Sequence, residues 1–196
     1  MTVLIVRYNA GNVRSVANAL GRLGERFVIS DKPDEILSAD RVIFPGVGEA
    51  GSAMAHLRAH GLDAVLREVR APFLSICLGQ QLLCDSSEEN DAVCLGIIPG
   101  RVERFKVPQK VPHMGWSVIE TMKEHPVFTG ITAGSYFYFV HSYRLPVVAQ
   151  TVASCTYDEA FSAAVATANH IGVQFHPEKS AASGERLLRN FLQWRV

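Results

Sequence analysis

The chain has 196 residues, 48% hydrophobic and 19% charged: enough apolar material for one domain with a sizeable core, and too much for a largely disordered chain. Nineteen lysines and arginines balance nineteen aspartates and glutamates, so no overall field favours nucleic acid or an anionic membrane, and a small zwitterionic substrate fits better. No apolar run is long enough to span a bilayer, the four cysteines form no Cys-x-x-Cys pair and no secretory leader precedes the first apolar run, so a cytoplasmic chain with reduced thiols is expected.

Residues 3–6 form an apolar run of the kind buried on both faces in a central parallel strand. Residues 9–12 read as a turn, with Asn12 capping a helix that carries Val13, Val16, Ala17 and Leu20 on one face and ends at Gly21 and Gly24. A second strand is predicted over 27–29, then a short helix over 33–37 entered through Asp31. The third strand, 41–44, runs into Pro45-Gly46-Val47-Gly48, and helical segments follow up to His60 and over 62–69. Residues 73–76 are the fourth strand. This alternation predicts the α/β class: an open, mostly parallel central sheet with helices on both faces and ligands at the carboxyl ends of its strands.

The second half has a different rhythm. Residues 88–91 are a polar loop, and short strands are predicted over 101–105, 118–119, 136–141, 152–157, 163–167 and 171–175, which argues for an antiparallel extension of the sheet. An amphipathic helix over 183–194, with Leu187, Leu188, Phe191 and Leu192 inward, closes a single domain spanning 1–196.

Cys77 sits where the fourth strand gives way to a helix with no loop between, flanked by Ser75 and Gly79. Small residues two before and two after allow so sharp a turn, the pattern of a nucleophile elbow with sulfur in place of a hydroxyl. The plain alternative is a buried structural cysteine. Near the other end, Pro177 holds His176 extended, which puts His176 and Glu178 on one side of the chain, where a carboxylate can orient an imidazole. Gly46-Val47-Gly48 offers backbone N–H groups for an oxyanion, with the N–H of Leu78 as second donor; losing one such donor typically costs on the order of a hundredfold in rate. His56 and His60 have the i, i+4 spacing of a metal pair but lack a third ligand, so no metal is expected, and Cys84, Cys94 and Cys155 carry no chemical signal.

Together, Cys77-Leu78-Gly79, Pro45-Gly46-Val47-Gly48 and Phe175-His176-Pro177-Glu178 resemble the class I glutamine amidotransferases. Tyr8 to Asn12, Pro112-His113-Met114-Gly115-Trp116, the run Tyr138 to Tyr143 and Lys179-Ser180 are similar to the branch of that family that supplies ammonia for imidazole glycerol phosphate synthesis. The resemblance covers essentially the whole chain. It implies a flavodoxin-like fold and a Cys-His-Glu triad: Cys77 as nucleophile on L-glutamine, His176 as acid and base, Glu178 orienting it. It assigns Gly46, Val47, Gly48, Leu78, Gly79, Gln81, His141, Ser142 and Tyr143 to the oxyanion and substrate. It implies no cofactor, and as partner a separate (βα)8-barrel cyclase subunit, with Met114, Trp116, Tyr138 and Lys179 on the face turned towards it. A glutaminase serving another acceptor and a catalytically silent assembly subunit are the rival readings. Two residues depart from the family pattern: Ser75 stands where glycine is usual, which is expected to ease the helix off the strand, and Arg7 stands where aspartate is usual, which is expected to disturb a local salt bridge.

Overall fold

The computed structural model describes residues 1–9, 12–121 and 123–196, with the side chain of Thr121 left aside. In the first half, strand and helix alternate as β1 (Val3–Val6), α1 (Val13–Arg22), β2 (Phe27–Ser30), α2 (Pro33–Ser38), β3 (Arg41–Gly46), α3 (Ala50–Ala59), α4 (Leu62–Glu68), β4 (Phe73–Cys77) and α5 (Leu78–Leu82). The second half is made mainly of strands: β5 (Ser86–Ser87), β6 (Ala92–Val93), β7 (Arg101–Arg104), β8 (His113–Val118), β9 (Glu120–Thr121), β10 (Tyr136–His141), β11 (Tyr143–Arg144), β12 (Thr151–Tyr157), β13 (Glu159–Ala166) and β14 (His170–Val173), closed by helix α6 (Ala181–Gln193).

The main sheet has the order β2-β1-β3-β4-β14-β13-β12-β9. Its first five strands are parallel and the last three add on antiparallel. Strands β1, β3 and β4 are buried on both faces because each alternates between two cores: Val3, Ile5, Ile43 and Leu74 face one, Leu4, Val6, Val42 and Phe73 the other. Helix α6 covers the first core with Leu187, Leu188 and Phe191. Its C-terminal carbonyls are satisfied by the buried guanidinium of Arg41, which donates to Phe191 O at 3.2 Å and Trp194 O at 2.5 Å.

Several details depart from the expected pattern. Strands over 101–105 and 136–141 do not extend the main sheet: β10 pairs with β8 in a two-stranded ribbon, and β7 lies in a small sheet with β5, β6 and β11. Residues 113–118 form the full strand β8, where only 118–119 was expected. Gly21 lies inside α1, and the left-handed Gly24, with φ of 77°, follows its end. Asn12 occupies the N-cap position but is itself left-handed and makes no cap bond; Ala10 and Gly11 of the predicted turn lie outside the described residues. The N-cap position of α2 is Lys32, which makes no side-chain cap bond, and Asp31 before it pairs with Arg7 at 3.0 Å. The unusual Arg7 therefore carries its own exposed partner.

Candidate active site

The turn from β4 into α5 is as sharp as the sequence suggests. Cys77 has φ of 55° and ψ of −111°, a conformation that costs a side-chain-bearing residue about 1–3 kcal/mol and is retained because both flanking elements are fixed. Gly79 lies against Phe44 so closely that a methyl group there would collide with the Phe44 carbonyl. That tight approach is kept despite Ser75, whose buried side chain lies opposite Gly172 on β14. Gly46 and Gly79 are thus packing positions beneath the site, whereas Val47, Gly48, Leu78 and Gln81 line a cavity of about 320 Å³ with Cys77. His141, Ser142 and Tyr143 form the opposite wall. The N–H groups of Val47 and Gly48 make no hydrogen bond to backbone among the described residues.

At the end of β14 the chain brings in His176 and Glu178, both side chains fully buried. His176 Nδ1 lies 2.8 Å from Glu178 Oε1, so Nδ1 carries the hydrogen and Nε2, without a partner, is left for Cys77. Burial works against a charged ring, but the nearby Cys77 and the hydrogen-bonded carboxylate of Glu178 outweigh it and push His176 up to about 10. No hydrogen bond closes between Cys77 Sγ and His176 Nε2. Burial likewise pulls Glu178 upwards, and His176 and Asn12 together hold it below the ordinary carboxylate value.

Three residues join the site that the sequence did not single out. Asn12 Nδ2 donates to Glu178 Oε1 at 2.5 Å; its 3.3 Å approach to His176 Nδ1 is no bond, because both atoms carry hydrogens. Gln174 Nε2 points at the sulfur of Cys77 at 3.7 Å, and its Oε1 accepts from Gln81 Nε2 at 2.9 Å. Gln81 also donates to Tyr143 O at 2.9 Å, so its amide group braces the wall it lines. Glu89 is the one carboxylate on the cavity wall among the described residues; burial raises it, and it accepts from the N–H of Ala50. Its place in a polar loop hid it, and a carboxylate near an expected amino-acid site was the available signal.

The face expected to meet a partner is the β8–β10 ribbon. Met114 and Trp116 are 61% and 51% exposed, and Trp116 packs edge-on against Tyr138 across the register. Lys179 Nζ sits 5.8 Å over the Tyr138 ring. The backbone of Tyr138 is tied to the triad segment at both ends: its carbonyl accepts from His176 N at 2.9 Å, and its N–H donates to Ser180 Oγ at 3.0 Å.

An elbow cysteine, a sealed imidazole–carboxylate pair and backbone amides around one cavity are the parts that thiol acyl transfer needs. The model of the family Glutamine amidotransferase class-I matches residues 4–194, and the chain belongs to that family. It is 51% identical over 196 residues to the imidazole glycerol phosphate synthase subunit HisH of Bacteroides thetaiotaomicron, covering 98% of this chain and 99% of that one. Against the subunit of the same name from Bacteroides fragilis it is 49% identical, with 98% and 100% covered, so within its class it groups with the HisH subunits. Among solved structures it is similar to a crystal structure of a glutamine amidotransferase, with TM-score 0.76 at 21% identity and 97% of each chain covered, a likeness that concerns the fold.

Proposed function

We propose that the chain is the glutaminase subunit of an imidazole glycerol phosphate synthase, with Cys77, His176 and Glu178 as its triad. The observation that carries this is the buried His176–Glu178 pair beside a strained elbow cysteine that opens on a cavity of amino-acid size. Cys77 Sγ attacks the side-chain amide carbon of glutamine, and the carbonyl oxygen takes the negative charge. The N–H groups of Val47 in the Gly46–Gly48 loop and of Leu78 stabilise that charge by donating hydrogen bonds to it. His176 Nε2–H protonates the amide nitrogen, the C–N bond breaks, and ammonia leaves a glutamyl thioester. Water, its proton taken by His176, then cleaves the C–S bond to release glutamate and free the sulfur.

In this reading Glu89 holds the α-ammonium and the backbone from His141 to Tyr143 holds the α-carboxylate. The partner is a separate (βα)8-barrel cyclase that consumes the ammonia to make imidazole glycerol phosphate and aminoimidazole carboxamide ribotide. It covers Met114 and Trp116, whose exposed apolar side chains on a strand suit an interface. Tyr138 and Lys179 stand where ammonia would cross, and the bonds from Tyr138 to His176 and Ser180 give docking a route to the triad. The site is cytoplasmic in this reading; no helix among the described residues is long and apolar enough to cross a membrane. Glutamate release from glutamine by the chain mixed with such a cyclase and its nucleotide substrate tests the proposal. Brisk release supports it, and silence in the full mixture favours an assembly role.

A further inference from the structure

Tyr8, just past β1, carries a hydroxyl that is buried and has no hydrogen-bond partner among the described residues. Its ring stacks on Phe44 with centroids 5.0 Å apart, which aims the hydroxyl into the angle between the end of β3 and the start of α5. There it rests against the α-carbon of Gly46: a Cβ at that position would lie 2.6 Å from the Tyr8 oxygen and 2.7 Å from the N–H nitrogen of Gly79. Only glycine at 46 leaves room for the phenol. Burial and the neighbouring charge of Cys77 both hold the proton on the oxygen, so the group is available as a donor.

The loop above it has the complementary need. Val47 faces the cavity and its N–H makes no backbone bond among the described residues, while Tyr8 does not line the cavity and lies on the inner side of the same loop. A trans peptide points its N–H and C=O in opposite directions. Rotation of the Gly46–Val47 peptide that aims the Val47 N–H at an oxyanion therefore turns the Gly46 carbonyl inward, towards the unpaired phenol.

We propose that Tyr8 is a positioning residue for the oxyanion loop: its hydroxyl donates to the Gly46 carbonyl in the reacting complex and so holds the Val47 N–H on the developing negative charge. This rests on the glutaminase reading above. A bond absent from the free chain and made in the reacting complex raises turnover without tightening substrate binding.

The test is Tyr8→Phe in the chain assembled with its cyclase and supplied with glutamine. The expected result is a fall in kcat on the order of tenfold, the worth of one hydrogen bond made during reaction, with KM for glutamine within about twofold of the parent. The midpoint of thermal unfolding should be unchanged or higher, because the hydroxyl removed is unpaired at rest. A fluorinated tyrosine placed at position 8 keeps the donor and should keep parental turnover. An unchanged kcat in Tyr8→Phe overturns the inference, and so does a fall that comes with a lower midpoint or a raised KM. Parental turnover that disappears in Cys77→Ala establishes the glutaminase reading by itself, so a Tyr8→Phe chain as fast as the parent sinks only the role of Tyr8.

Discussion

His113 Nδ1 and His141 Nε2 meet at 3.0 Å inside the β8–β10 ribbon, and the bonds at either end of the pair give it one direction. The Tyr143 carbonyl, 2.8 Å from His141 Nδ1, can only accept, so His141 donates there and receives from His113 at Nε2. His113 Nε2 is then left to accept from Ser117 Oγ at 2.8 Å. Two neutral rings thus run from a strand with an exposed apolar face to the backbone of the cavity wall.

That pair predicts acid sensitivity. Burial pushes His113 down to about 4 and His141, which also feels its two histidine neighbours, to about 3, against an ordinary 6.5. A histidine with a depressed native pKa contributes stability that is complete above pH 6.5 and is lost as the pH falls towards the native value, because the unfolded chain binds the proton first. For His113 alone the loss is on the order of 3 kcal/mol between pH 6.5 and 4. Urea unfolding of His113→Phe should show a less stable protein at neutral pH and a shallower decline below pH 6.5. Parallel curves for parent and variant would contradict the neutral relay.

Asn12 should matter to catalysis through Glu178. Asn12→Ala removes the donor at 2.5 Å and should lower kcat roughly tenfold with KM little changed, the effect of loosening an orienting group. Asn12→Asp is more telling. A second carboxylate beside Glu178 disfavours two negative charges, raises the pKa of Glu178, and should move the acid limb of the kcat profile to higher pH. An unmoved limb would show that Asn12 does not act on Glu178.

Glu89→Gln separates binding from chemistry. Glutamine at 89 keeps an acceptor for the Ala50 N–H, so the start of α3 should hold, but the charge offered to the substrate ammonium is gone. KM for glutamine should rise about ten- to hundredfold, with kcat changed much less. Equal KM values would remove Glu89 from the substrate site.

Period and local chemistry made much of this legible. Strand β1 reads directly because four apolar residues serve two cores, and β10 because Phe137, Phe139 and His141 alternate inward. The elbow reads directly because only small neighbours permit it. Strand β8 escaped because its exposed positions hold Met114, Trp116 and Val118, reversing the usual polar-outward pattern. Asn12 was read as a helix cap, its commonest local use, while its side chain serves a carboxylate 166 positions away. The Gln81–Gln174–Cys77 chain has the same character: non-local pairings of buried amides leave no periodic trace in sequence.

The most direct measurement is made on Cys77→Ala in the assembled synthase, with glutamine and with an ammonium salt as alternative nitrogen sources. Glutamine-dependent turnover should vanish, while ammonium-dependent cyclase turnover should stay near the parental level, since only the source of ammonia is removed. Retained glutamine hydrolysis would show that this sulfur is not the nucleophile and would contradict the account at its base.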